Sequence, residues 1–142
     1  MNPHLIYYPS FALLILSFGV LLRMFVLRKN AIATKQVDYR YFKTYNMADN
    51  LPIDMLAAGR HFTNLFEVPT LFYMVSLFAL VTNHVDTVML TLAWIYVGFR
   101  YVHSFIHLTS NKILPRMMSY FFSWIALMSM GLVLLVRISY GS

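Results

Sequence analysis

Arg60, Asn64 and Glu67 recur at helical spacing inside an otherwise apolar stretch, and at about 100° per residue they fall within an arc of roughly 60°. One face of one helix thus carries a cation, an amide and a carboxylate. A guanidinium can take a carboxylate through two hydrogen bonds, an amide both donates and accepts, and a carboxylate can hold an ammonium. Arg100, His103 and His107 form a second stripe of the same kind, and Arg116 with Tyr120 one turn later a third. These interior arginines outnumber Glu67, the one carboxylate inside a predicted span, so pairing within the chain cannot neutralise them. The surplus points to a small bound anion. The alternative, an Arg60–Glu67 ion pair that fixes helix packing while Arg100 and Arg116 snorkel to lipid phosphates, leaves that surplus unexplained. His103 and His107 could also share a metal ion with Glu67, but three neighbouring cations would repel a divalent ion, and no metal is expected. His61 lies about 100° off the Arg60 stripe and reads as an interfacial or helix-contact residue; it, His4 and His84 are assigned no chemistry.

The elements that must position these groups are set by composition. Of 142 residues, 60% are hydrophobic and 11% charged, and the mean hydropathy is +0.65, so the bilayer is the expected solvent. Four apolar stretches, 5–27, 55–81, 88–108 and 114–136, each reach the roughly 20 residues that cross about 30 Å of hydrocarbon. Runs such as 11–16 and 125–136 lack the alternation of a β-barrel strand. The reading is therefore all-α: a single-domain, integral-membrane four-helix bundle spanning 1–142. In such a bundle an arginine or carboxylate at the bilayer centre costs roughly 2.5–3.5 kcal/mol, so the polar stripes must face protein, water or ligand.

The formal charge of +6 is concentrated between the first two spans, at Arg28, Lys29, Lys35, Arg40 and Lys43. Lys112 and Arg116 follow the third span, whereas the amino terminus and the turn 82–87 have no Lys or Arg. This asymmetry predicts both termini outside and the polar site on the cytoplasmic side, with Arg137 as the opposing residue. It serves topology and anionic lipids, and no nucleic-acid partner is expected. Lacking an early basic cluster and a small-residue cleavage site, the first span is expected to be retained. Asn50-Leu51-Pro52 followed by Asp54 predicts a turn feeding an N-capped helix, and Pro69 a bend beyond the stripe. The chain has no cysteine, so any thiol at the site must come from a ligand.

Arg60-His-Phe-Thr-Asn64-Leu-Phe-Glu67 resembles the R-x-x-x-N-x-x-E pattern of the membrane-associated proteins in eicosanoid and glutathione metabolism, the MAPEG family, which includes the microsomal glutathione transferases. Pro69, Arg100-x-x-His103, Arg116 and Tyr120 follow in that family's order, and the resemblance spans nearly the whole chain. It implies a homotrimer in a membrane, here the inner membrane of a bacterium, with glutathione as cosubstrate between protomers near the cytoplasmic side. By analogy Glu67, Asn64, Arg60, Arg100, His103 and His107 would bind or frame the tripeptide. Arg116 and Tyr120 would lie nearest its sulfur as the catalytic pair. The implied activity is transfer of the glutathione thiolate to lipophilic electrophiles, or reduction of lipid hydroperoxides; the alternative is a non-enzymatic lipid-binding or scaffold protein of the same fold. Thr63 stands where eukaryotic members have a second arginine, His107 where several have tyrosine, and Met117 where prostaglandin E synthase has serine. These departures argue against prostaglandin synthesis.

Overall fold

In lipid each peptide group must be satisfied inside its own segment, and for single apolar runs of this length the solution is the helix. The computed structural model describes residues 2–45 and 51–141, and among these every regular element is helical. A 3-10 turn at Pro3–Ile6 leads into α1 (Tyr7–Ala33), followed by the single turn α2 (Tyr41–Thr44). Three long helices complete the chain: α3 (Ile53–Val81), α4 (Thr87–Leu108) and α5 (Ile113–Tyr140). Pro3–Ala33, α3 and α5 are long and apolar enough to cross a membrane. The expected third span, α4, falls outside that set; Arg100, His103 and His107 make its second half polar.

α4 packs most extensively on α5, and α1 on α3. Their shared core joins Leu13 of α1, Phe72 and Ala79 of α3, Met89, Ala93 and Tyr96 of α4, and Ala126 and Met130 of α5. Lipid tails are as apolar as these side chains, so close packing rather than water exclusion selects the contacts, and alanines at the seams allow near approach. Phe72 and Tyr96 stack face to face with centroids 4.5 Å apart. Polar ties cross the seams as well. The Tyr101 hydroxyl donates to the Ala12 carbonyl (2.7 Å), and the Arg23 guanidinium donates to the Leu108 carbonyl (2.9 Å), satisfying an otherwise open acceptor at the end of α4.

α1 continues to Ala33, past the predicted end at 27. Hydropathy marks where lipid stops, whereas Arg28 and Lys29 are good helix formers that carry the backbone pattern beyond it. Ala31, Val37 and Met55 then form a small separate core with Tyr41, Phe42 and Leu51, which ties the connecting segment to the start of α3. Asn50, in the expected cap, lies outside the described residues. Pro52 occupies the N-cap position without a side-chain hydrogen bond, and Asp54 sits in the first turn, where its charge suits the helix dipole. α3 runs on through the buried Pro69.

The side-chain cap appears instead at α4, where the Asp86 carboxylate accepts from the Met89 N–H at 2.9 Å. The same carboxylate meets Arg137 at 2.5 Å, and Arg137 also donates to the His84 carbonyl at 3.3 Å. Arg137, which ran against the charge rule, is thus bound to the α3–α4 turn. Partial burial pushes the Asp86 carboxyl up, but hydrogen bonds from Arg137 and the Met89 N–H outweigh it and hold the group below its ordinary value. A carboxylate lowered in this way stabilises the fold above its unfolded value, and the contribution disappears as pH falls through the native value. Thermal unfolding in detergent should therefore show an acid-side loss of Tm that is weaker in Asp86→Asn, which keeps the cap but not the charge. Asp86→Ala should cost about 1 kcal/mol at neutral pH.

Candidate functional site

The start of α3, the end of α4 and the start of α5 meet at one end of the bundle around a cavity of about 610 Å³. Arg60 and Asn64 enter it from α3, His103 and His107 from α4, and Arg116 and Tyr120 from α5. These are six of the eight residues singled out by spacing. Ile53, Leu56, Ala57, Met117 and Phe121 supply an apolar side, and no carboxylate lines the chamber among the described residues.

Arg116 is held by its surroundings. One guanidinium nitrogen donates to the Asn111 side-chain oxygen at 2.6 Å, and Asn111 itself lines the chamber in a left-handed backbone conformation with φ of 48°. The Arg116 carbonyl accepts from the Ser119 hydroxyl at 2.9 Å and from His103 Nδ1 at 3.0 Å. Because a carbonyl only accepts, that bond puts a proton on Nδ1 and leaves Nε2 of a neutral His103 as an acceptor. His103 Nε2 has no partner among the described residues.

Arg100 stands behind the chamber wall and is 0% exposed. Its Nε donates to the Tyr96 hydroxyl at 3.1 Å, and its guanidinium carbon lies 5.6 Å from the Tyr96 ring centroid and 5.1 Å from that of Tyr120. Both terminal guanidinium nitrogens lack partners within the described protein. Arg100 thus reaches the chamber through Tyr120, whose other contacts include the His103 ring at 5.5 Å. Glu67 does not line the chamber; it is exposed on the surface of the chain, farther along α3 than Asn64. No Arg60–Glu67 ion pair forms, and among the described residues the salt bridge present is Asp86–Arg137.

His61 is fully buried at the α3–α4 contact. It hydrogen-bonds Ser104 at 2.8 Å and lies 4.7 Å from the His107 ring and 5.5 Å from the His103 ring, behind the two histidines that face the chamber. No group of His, Cys, Asp and Glu among the described residues is placed to hold a metal ion. Spacing missed Asn111 and named no partner for His61. For Asn111 a signal was present, since asparagine is among the few residues that readily adopt left-handed backbone and it sits in the tight α4–α5 turn. For His61 there was none, because the residue beside a polar stripe can face any neighbour.

No curated protein sequence and no solved structure matches the chain. A model of the MAPEG family matches residues 6–136, reaching from the 3-10 turn into α5 and including every chamber residue. With that match across most of its length and helices that can cross a bilayer, the chain is an integral membrane protein and belongs to the MAPEG family.

Proposed function

We propose that the chain is a membrane-bound, glutathione-dependent transferase or peroxidase acting on lipophilic electrophiles or lipid hydroperoxides. The observation that carries this reading is the chamber wall: two guanidinium groups, two imidazoles, two amides and a phenol, with no carboxylate among the described residues, beside an apolar surface. Its volume of about 610 Å³ falls within the roughly 300–1,000 Å³ of small-molecule sites. Glutathione fits this donor set through its two carboxylates, and it supplies the thiol that a chain without cysteine lacks.

In this reading Arg60, Asn64 and the two chamber histidines hold the polar ends of the tripeptide. Arg116, steadied by Asn111, stands beside the sulfur and favours its thiolate, since a nearby cation lowers a thiol pKa. Tyr120 donates a hydrogen bond to the same sulfur. Met117 and Phe121 receive the apolar acceptor, so two reactants of unlike solubility are brought together. The proposal includes four spanning helices, a bacterial inner membrane with the chamber toward the cytoplasm, and a homotrimer in which Glu67 faces a neighbouring protomer instead of lipid.

The test is a calorimetric titration of the detergent-solubilised protein with glutathione, alongside assays of aryl-halide conjugation and lipid-hydroperoxide reduction. Saturable binding with either activity supports the proposal; no binding at millimolar glutathione and no turnover ends it. Asn111→Gly keeps the left-handed turn but removes the bond to Arg116. It should lower kcat/KM by roughly tenfold, the worth of one hydrogen bond to a charged group, without changing the helical circular dichroism.

A further inference from the structure

A second groove opens where α1 leaves the predicted span. Phe25, Ile32 and Ala33 of α1 form one side, and Tyr39, Phe42 and Tyr45 of the connecting segment the other, around a space of about 590 Å³. Arg28 and Lys29 are its charged residues, and no carboxylate lines it among the described residues. Neither forms an ion pair with any described residue. The Arg28 guanidinium nevertheless has aromatic neighbours: it lies 5.4 Å from the Phe42 ring centroid and 5.8 Å from that of Tyr45, and it donates to the Tyr45 hydroxyl at 3.4 Å. Such a contact uses one donor and the face of the cation, and a guanidinium carries five donors. Among the described residues the groove therefore presents a cation with unspent donors and a neighbouring ammonium between apolar walls.

Its position identifies the occupant. Phe18, Leu21, Leu22, Phe25 and Val26 are all exposed along α1 and lead from the membrane-length segment directly to Arg28. Tyr39 and Tyr45 are exposed beside it, as amphipathic rings are at headgroup depth. A ligand seated here has an apolar tail that descends along α1 and a negative group at the level of Arg28 and Lys29.

We infer that this groove binds an anionic phospholipid of the surrounding leaflet, with its phosphate on Arg28 and Lys29, its glycerol region against Phe42 and Tyr45, and an acyl chain along Phe25 and Leu22. The site stands apart from the glutathione reading. A smaller hollow bounded by Arg28, Phe42, Tyr45, Leu56 and Arg60 runs between the groove and the chamber, so the bound lipid also forms part of the chamber's outer surroundings.

The test uses the full chain reconstituted in phosphatidylcholine nanodiscs doped with a minor fraction of phosphatidylglycerol, with co-isolated lipid counted by native mass spectrometry after transfer to detergent. Wild type should retain phosphatidylglycerol well above its share of the bilayer. Arg28→Ala with Lys29→Ala should lose about tenfold or more of that preference, the worth of two basic residues at an anionic surface. Lys112→Ala, which removes a basic residue elsewhere at the same end, should leave it unchanged. Tyr45→Ala is the second probe of the seat and should weaken retention in a protein with both cations intact. The inference is overturned if wild type shows no phosphatidylglycerol preference, if Lys112→Ala lowers it as much as the double variant, if Tyr45→Ala leaves it intact, or if inorganic phosphate in the buffer strips the lipid, which would mean a simple phosphate site. Glutathione titration of the same samples keeps the two readings separate.

Discussion

Arg116→Ala is expected to reduce kcat/KM for glutathione conjugation by about two to three orders of magnitude, the range found when one donor to a developing anion is removed from a preorganised site. Arg116 is the lining residue whose guanidinium is already aimed, through Asn111 at 2.6 Å and through the His103 and Ser119 bonds to its own carbonyl. Arg60, by contrast, is exposed and makes no side-chain hydrogen bond to a described residue, so its loss should weaken binding several-fold and leave kcat closer to wild type. The pH profile separates a role in thiolate formation from a merely structural one. Without the Arg116 cation the bound thiol returns toward its ordinary value, so activity of the variant should climb with pH across a range where wild type is level. Arg116→Lys keeps charge without the planar fork and should fall between the two. A rate for Arg116→Ala within about threefold of wild type, at unchanged glutathione affinity, removes Arg116 from the chemistry.

Arg100→Met should separate stability from activity. A fully buried cation with two nitrogens unpaired and no carboxylate beside it among the described residues is a poor source of stability, and replacing buried charges by apolar groups of similar volume is often neutral or stabilising by about 1–4 kcal/mol. The Met variant should thus unfold no earlier than wild type, whereas Arg100→Ala, which also leaves a void, should unfold earlier. Activity should nonetheless fall by at least about tenfold in the Met variant, because Tyr120 rests on the Arg100 guanidinium at 5.1 Å and loses that support. Arg100 is a positioning residue in this account, and its signature is a fall in kcat with glutathione affinity nearly preserved. A Met variant that is both stable and fully active removes the role; one that unfolds much earlier indicates a counter-anion at the two open nitrogens, as bound ligand or partner protomer would supply.

The two arginines illustrate what periodicity can and cannot convey. Arg100, His103 and His107 share a face in the sequence, and all three are indeed buried on α4, yet only the histidines reach the chamber. The face was legible; the depth of each side chain behind that face was not, since it depends on where α5 places Tyr120. Glu67 makes the same point along α3. It lies within the arc of Arg60 and Asn64, but a helix that crosses its neighbours keeps a given stripe against them for only a turn or two. Two turns beyond Arg60, that stripe has left the α4–α5 cleft.

Local chemistry could be read from residue order alone: long helices from unbroken apolar runs, the loop rich in cations, the missing thiol, and the anion-seeking surplus of guanidinium over carboxylate, because each depends on neighbours at known offsets along one segment. Which helix lies opposite a given face is set by packing between segments distant in the chain. That is why the burial of His61 against α4, the clasp of Asp86 on Arg137, the grip of Asn111 on Arg116, and the separation of Glu67 from the chamber emerged only with the tertiary structure.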